Sequence, residues 1–146
     1  MFKFKHFEIY DELSAMKIGT DGVLLGAWAD VRDARSILDV GTGTGLVAIM
    51  CAQRSVTASV HGIDIVEAAA REAEQNMART AWHERLSAEH ADLRSYNPDV
   101  RYDHIVSNPP FFLTSLHSPD AVRAMARHAD TLPYEALISA AERLLM

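Results

Sequence analysis

The stretch Val40-Gly41-Thr42-Gly43-Thr44-Gly45 constrains the fold more than any other part of this chain. It joins the apolar run Ser36 to Val40, which reads as a strand, to Leu46 to Gln53, which reads as a helix. Alternating glycines permit a tight turn and close backbone approach, and the helix that follows offers unpaired N–H groups at its start. Strand, glycine turn and helix in that order open a parallel α/β unit, and the later sequence repeats the alternation. Ser59 to Ile65 reads as a second strand closed by Asp64, and Leu86 to Ala91 as a third with Asp92 at its end. Between them Glu67 to Met77 is alanine-rich and carries Glu67 and Arg71 at i,i+4 spacing, so it predicts a helix. Tyr102 to Ser107 makes a fourth strand, and Asp120 to His128 and Tyr134 to Leu145 make two later helices. Ahead of the loop, Thr20 and Asp21 are N-cap residues for a short helix through Val23 to Trp28. The expected fold class is α/β: one domain with an open, doubly wound, Rossmann-like and mostly parallel sheet, residues 1–30 forming an N-terminal cap segment and 31–146 the core. Met146 falls in mid-helix without a stop signal, so a chain truncated after the fourth strand and its following helices is expected.

With 49% hydrophobic and 23% charged residues the 146-residue chain has material for a core and a solvated surface. Its apolar runs fall short of a bilayer span, and Met1-Phe2-Lys3-Phe4-Lys5-His6 lacks the apolar centre of a leader, so a cytosolic location with no membrane partner is expected; a monomer is expected separately, on no feature of these runs. A net charge of -6 argues against wholesale electrostatic capture of nucleic acid. Local basic patches remain: Lys3, Lys5, His6 and Lys17 near the start, and Arg123 and Arg127 on one helical face with His128 beside them. For each, plain solvated surface is the favoured reading. Cys51, the sole cysteine, lies in an apolar helical stretch and reads as a buried, inert thiol. The 7 histidines lack ligand spacing, so no metal is expected, and Trp28 and Trp82 read as packing anchors.

The glycine loop has the form of a nucleotide-type cofactor cradle. It is not a dinucleotide fingerprint, because Leu46 stands where G-x-G-x-x-G needs its third glycine. Asp64 ends the next strand where a carboxylate can hold ribose hydroxyls, and Asp92 follows the third strand within range of an adenine amino group. Either aspartate alone could be a helix cap. Their recurrence at successive strand ends is the stronger signal, because ligands of open parallel sheets bind outside those ends. The fourth strand runs into Asn108-Pro109-Pro110-Phe111. Two prolines halt the strand and remove two N–H donors, leaving carbonyl oxygens free to accept, with the Asn108 side-chain carbonyl beside them. An amino group on an aromatic ring is a poor nucleophile because its lone pair is delocalised; acceptors gripping its N–H groups favour the pyramidal, reactive form. Phe111 adds a face for stacking. Loop and tetrapeptide together point to methyl transfer onto a planar amine.

These motifs resemble the S-adenosylmethionine-dependent methyltransferases that act on exocyclic amines. Phe2-Lys3-Phe4-Lys5, the segment Ala15 to Trp28 and Arg123-Ala124-Met125-Ala126-Arg127-His128 further resemble the bacterial tRNA(Val) adenine-N6 methyltransferases, which modify the adenine beside the anticodon. The resemblance runs over nearly the whole chain and implies an S-adenosylmethionine site, with S-adenosylhomocysteine as product and no metal. It assigns Asp39, Gly41, Thr42, Gly43 and Gly45 to the loop cradling the methionine part, Asp64 and Ile65 to the ribose side, Asp92 and Leu93 to the adenine side, and Gly19, Thr20 and Asp21 to closing the pocket. Asn108, Pro109, Pro110 and Phe111 become the catalytic group, and Lys3, Lys5, Phe112, Arg123 and Arg127 the substrate contacts, tRNA being the partner. Members of that family continue past the position of Met146. Three rivals stay open: guanine N2 of ribosomal RNA or the glutamine amide of a release factor as acceptor, a noncatalytic fragment that binds cofactor or RNA, and, more distantly, a nicotinamide dehydrogenase.

Overall fold

Strand β3 (Ser36–Val40) is the axis of the molecule, because Ile37 and Leu38 are both fully buried and point to opposite faces of the sheet. The computed structural model describes residues 1–109 and 133–146. Within them the chain runs β1 (Phe2–Lys3), β2 (Glu8–Ile9), α1 (Thr20–Trp28), β3, α2 (Leu46–Arg54), β4 (Ser59–Asp64), α3 (Glu67–Ala78), a 3-10 turn (His83–Arg85), β5 (Leu86–His90), β6 (His104–Ser107) and α4 (Tyr134–Leu144). The main sheet has the order β5-β4-β3-β6 with every neighbouring pair parallel. The chain thus builds outward from β3 in one direction, then crosses back to place β6 on the other side of β3. Registers Val40↔Ile63, Asp64↔His90 and Val40↔Ser107 align the carboxyl ends of all four strands along one edge.

Both faces are covered, as a doubly wound sheet requires. One cluster joins Ile37, Val60 and Val106 to Val47, Ile49 and Cys51 of α2, Met77 of α3 and Phe7 and Ile9 of the N-terminal hairpin. The other joins Leu38, Val40 and Ile63 to Leu93, Tyr102, Ala140 and Leu144, the last two from α4. Cys51 is fully buried, and burial first, with the Asp39 carboxylate second, pushes its thiol up to about 12, so the inert-thiol expectation holds. No helix among the described residues is long and apolar enough to cross a membrane.

Four expectations need correction. Thr20 and Asp21 are the first residues of α1 rather than its caps: Gly19 holds the N-cap position, with no side-chain cap hydrogen bond. Trp28 is no packing anchor, being 84% exposed, because α1 packs on α2 through its glycines; a Cβ on Gly26 would lie 2.6 Å from Met50 Sδ and 2.9 Å from its Cβ. Trp82 does anchor, meeting Phe7 edge to face at 6.1 Å. The fourth strand begins at His104, two residues later than the apolar run suggested, and Tyr102 makes an isolated parallel bridge to Leu145 instead. That bridge also shows that the chain does not stop in mid-helix: α4 closes at Leu144, Leu145 is extended (φ -74°, ψ 149°), and Met146 donates its N–H to the Tyr102 carbonyl at 3.1 Å. The expected helix at Asp120 to His128 lies outside the described residues.

Candidate active site at the carboxyl edge of the sheet

The order of the sheet reverses between β3 and β6, and in open α/β sheets that switch point is where neighbouring loops diverge and leave a crevice. The glycine loop leaves β3 there and Asn108 leaves β6. Gly41, Gly43 and Gly45 have φ of +70°, +55° and +84°, a region that side chains with a Cβ resist. A Cβ built on Gly41 or Gly43 would meet nothing within 4 Å, so those two line open space; one on Gly45 would press on the Ala73 backbone at 3.3 Å. The loop is tied down on its inner side. Gly41 and Thr42 donate N–H bonds to the Ile63 carbonyl (2.9 and 3.0 Å), and Gly45 donates to Thr42 O (2.8 Å).

Two aspartates fix the loop from below and from the side. Asp39 is 1% exposed; its Oδ2 accepts from the Thr42 hydroxyl (2.8 Å) and the Ala48 N–H (3.2 Å). Burial pushes its carboxyl up to about 7, the Thr42 and Ala48 donors opposing. Its position beneath the loop makes it a support rather than a surface the cleft can reach. Asp64 accepts from Gly43 N–H through Oδ2 and from Val66 N–H through Oδ1, both at 2.9 Å, so it clamps the loop and starts α3 at once. Each of its oxygens keeps a second lone pair.

The remaining expected residues are seated as follows. Ile65, half-buried, directly follows β4, and its carbonyl accepts from His90 Nε2 (3.0 Å). Asp92 lies two residues past the end of β5 and is held by Arg94, whose Nη2 is 2.6 Å from Oδ2; that guanidinium keeps its carboxyl below the usual range. A group approaching Asp92 would compete with Arg94. The Leu93 side chain is buried under α4, in the second core cluster. Gly19, Thr20 and Asp21 form the exposed start of α1, and one residue on, a Cβ on Gly22 would come within 3.4 Å of Asn108 Nδ2. The start of α1 therefore backs directly onto Asn108. Asn108 and Pro109 are half-buried, and the Ser107 hydroxyl before them donates to the Val40 carbonyl (2.9 Å), pinning the two strand ends together. Pro110, Phe111, Phe112, Arg123, Arg127 and His128 lie outside the described residues.

Lys3 and Lys5 are not brought to Asn108 by any contact among the described residues. They sit on the β1–β2 hairpin, where Lys3 pairs with Glu8 at 3.1 Å and Phe7 packs on Trp82 just beyond α3. Sequence reasoning passed over Glu72 and Asn76, two buried polar residues of α3 that grip the backbone of residues 10–14. A signal existed: both share the helix face of Ala69, Ala73 and Met77, where an amide or carboxylate demands partners.

Comparison with known proteins agrees with this architecture. The tRNA1(Val) (adenine(37)-N6)-methyltransferase of Bacteroides thetaiotaomicron is 51% identical over 145 residues, covering 99% of this chain and 61% of its own length. The protein of the same name from Vibrio campbellii is 45% identical over 144 residues, covering 99% of this chain and 60% of its own. The chain thus spans about three fifths of the length of these relatives. Protein arginine methyltransferase 10 of Arabidopsis thaliana, a solved structure 21% identical, superposes with a TM-score of 0.58 over 86% of this chain and 31% of its own, which is a likeness of fold. The family model of the methyltransferase small domain matches residues 14–133, and with the sheet order and the glycine loop in place, the chain belongs to that family.

Proposed function

We propose that this chain is the core of an S-adenosylmethionine-dependent enzyme that methylates the exocyclic N6 of an adenine in tRNA. The observation that carries the reading is the meeting of the glycine loop and Asn108 at the switch point of the sheet, in a chain 51% identical over 99% of its length to a tRNA adenine-N6 methyltransferase. The cleft fits the cofactor class, because the two glycines that line open space let a ligand come close to the loop backbone. In this reading Gly41, Thr42, Gly43 and Gly45 hold the methionine part, with Asp39 fixing the loop from beneath. Asp64 holds the ribose through its spare lone pairs with Ile65 beside it, Asp92 and Leu93 border the adenine, and Gly19, Thr20 and Asp21 close the entrance. S-adenosylmethionine, when bound, supplies an electrophilic methyl carbon on sulfur and departs as S-adenosylhomocysteine.

The chain's own part is to prepare the nitrogen. Asn108 Oδ1 and the Pro109 carbonyl would accept the two N–H bonds of the amine, drawing its lone pair out of conjugation with the ring. Proline suits this position because it carries no N–H to continue the strand ladder and its φ is fixed. A loop nucleotide can leave its stack at a cost of a few kcal/mol, so the acceptor need not be taken from a duplex.

The test is methyl transfer from radiolabelled S-adenosylmethionine to separate pools of tRNA, ribosomal RNA and release factor, followed by nucleoside or peptide mass spectrometry. N6-methyladenosine in tRNA supports the proposal. Label in guanine or in a glutamine side chain would move the acceptor, and cofactor binding with no product in any pool would reduce this chain to a binding module.

A further inference from the structure

Glu72 and Asn76 lie one turn apart on the inner face of α3, at 3% and 0% exposure. Buried polar groups are costly unless paired, and these pair with backbone remote in sequence. Glu72 Oε1 accepts the N–H bonds of Glu12 (2.6 Å) and Leu13 (2.8 Å), and Oε2 accepts that of Ser14 (2.8 Å). Asn76 Oδ1 accepts from Tyr10 N–H (3.0 Å), while Nδ2 donates to the carbonyls of Tyr10 and Thr44, each at 2.8 Å. Thr44 lies in the glycine loop, next to Gly45, where an added Cβ would lie 3.3 Å from Ala73 of the same helix. One side-chain amide therefore ties the N-terminal segment and the glycine loop to a single point on α3. The segment continues through residues 15–19 into α1, whose Gly22 backs onto Asn108.

We propose that Asn76 is a positioning residue for the cofactor cleft, with Glu72 as its helper: Asn76 holds the Thr44 peptide and the Tyr10–Ser14 strap in one arrangement without touching a ligand. The proposal rests on reading the glycine loop as the cofactor cradle. Its physical basis is entropic. A loop with three glycines is free to explore many conformations, and ordering it on binding weakens affinity unless the fold has ordered it beforehand. The Asn76 amide adds a further anchor to those that the Ile63 carbonyl, Asp39 and Asp64 give the loop, and it alone extends the ordering to Tyr10 of the strap, so its loss loosens both.

The experiment combines calorimetric titration of S-adenosylhomocysteine with amide hydrogen exchange on the parent chain, Asn76→Ala and Glu72→Gln. Asn76→Ala, verified as folded by circular dichroism, should bind at least tenfold more weakly, with faster exchange at residues 10–14 and 43–45 together. Glu72→Gln, which touches no atom of the loop, should speed exchange at 12–14 and weaken binding about threefold. If Asn76→Ala does not fold, Asn76→Ser carries the same comparison. A residue that only stabilised the fold would lower the melting temperature and leave the affinity of the folded population alone. Affinity within twofold of the parent, or faster exchange confined to 10–14, would overturn the proposal. A parent that fails to bind S-adenosylhomocysteine would instead remove the cofactor reading, and the exchange pattern would still decide whether Asn76 couples the two segments.

Discussion

Asn108 is set by its neighbours on both sides: Ser107 is bonded to Val40, and the Asn108 amide packs at Gly22, where an added Cβ would already be at contact distance, 3.4 Å. On the proposed function, Asn108→Ala removes one of the acceptors for the amine and should lower turnover more than tenfold, about 1.4 kcal/mol of barrier or more. Cofactor affinity should change little; steady-state kinetics beside a binding titration checks both. The loop glycines separate by what surrounds them. Gly41→Ala meets no neighbour and should cost only the strain of a positive φ, about 1–2 kcal/mol, whereas Gly45→Ala adds a 3.3 Å collision with Ala73 and should cost more by urea denaturation. Asp39 gives a pH signature of definite sign. Its carboxyl is raised to about 7 in the folded chain from 3.8. Between those values the native state holds a proton that the unfolded chain releases, so this group makes stability fall as pH rises from about 4 to about 7. Asp39→Asn should remove that component of the slope, measured by denaturation across the interval.

The elements show where the sequence spoke plainly and where it could not. Strand β3 has the residues that alternation and apolarity indicated, and α2, α3, β4 and β5 differ by a residue at most, because glycines and aspartates punctuate their ends. The β1–β2 hairpin was invisible: two-residue strands carry no period, and its seat depends on Phe7 reaching Trp82, 75 positions later. Helix α1 misled for the opposite reason. Its large residues Leu24 and Trp28 face outward while Gly22 and Gly26 face α2, so the usual equation of apolar with buried fails. That packing makes a prediction of its own. Gly26→Ala places a methyl 2.9 Å from Met50 Cβ, which cannot swing away as a side-chain tip can, so α1 must shift and stability should drop by about 1–3 kcal/mol. Gly19→Ala, with only the Lys17 carbonyl at 4.0 Å, is the matched control, and chemical denaturation of the pair measures the difference.

At the scale of the whole molecule, the N-terminal segment is part of the fold and of the site together. It fills the first core cluster with Phe7 and Ile9 and satisfies Glu72 and Asn76 with its backbone. A chain lacking residues 1–14 strips Glu72 of its three N–H donors and Asn76 of its Tyr10 partners, while Asn76 keeps its bond to Thr44, and it uncovers the apolar surface that Phe7 and Ile9 fill. Such a chain should unfold at markedly lower urea concentration and bind a dye for exposed apolar surface. The helix face shared with Ala69, Ala73 and Met77 marks Glu72 and Asn76 as inward, but the backbone that satisfies them is a property of the assembled chain, whereas the glycine loop announces itself by local conformational need. The carboxylate also has its own acid response. Burial raises the Glu72 carboxyl, but the N–H donors of Leu13, Ser14 and Glu12 outweigh it, and the net direction is down from 4.5. Its stabilising contribution is therefore present above about pH 4.5 and lost as pH falls through the lower folded value, the reverse of Asp39.

Cys51 gives the molecule a built-in clock. As the sole sulfhydryl, fully enclosed in α2 and with its ionisation pushed far above neutrality, it is shielded from alkylating reagents while the fold stays closed. Where a maleimide reacts faster than the helix recloses, the tagging rate is the rate at which the central helix opens, and where it reacts more slowly it measures the open fraction; a bound ligand that slows tagging reveals how firmly it holds that helix shut.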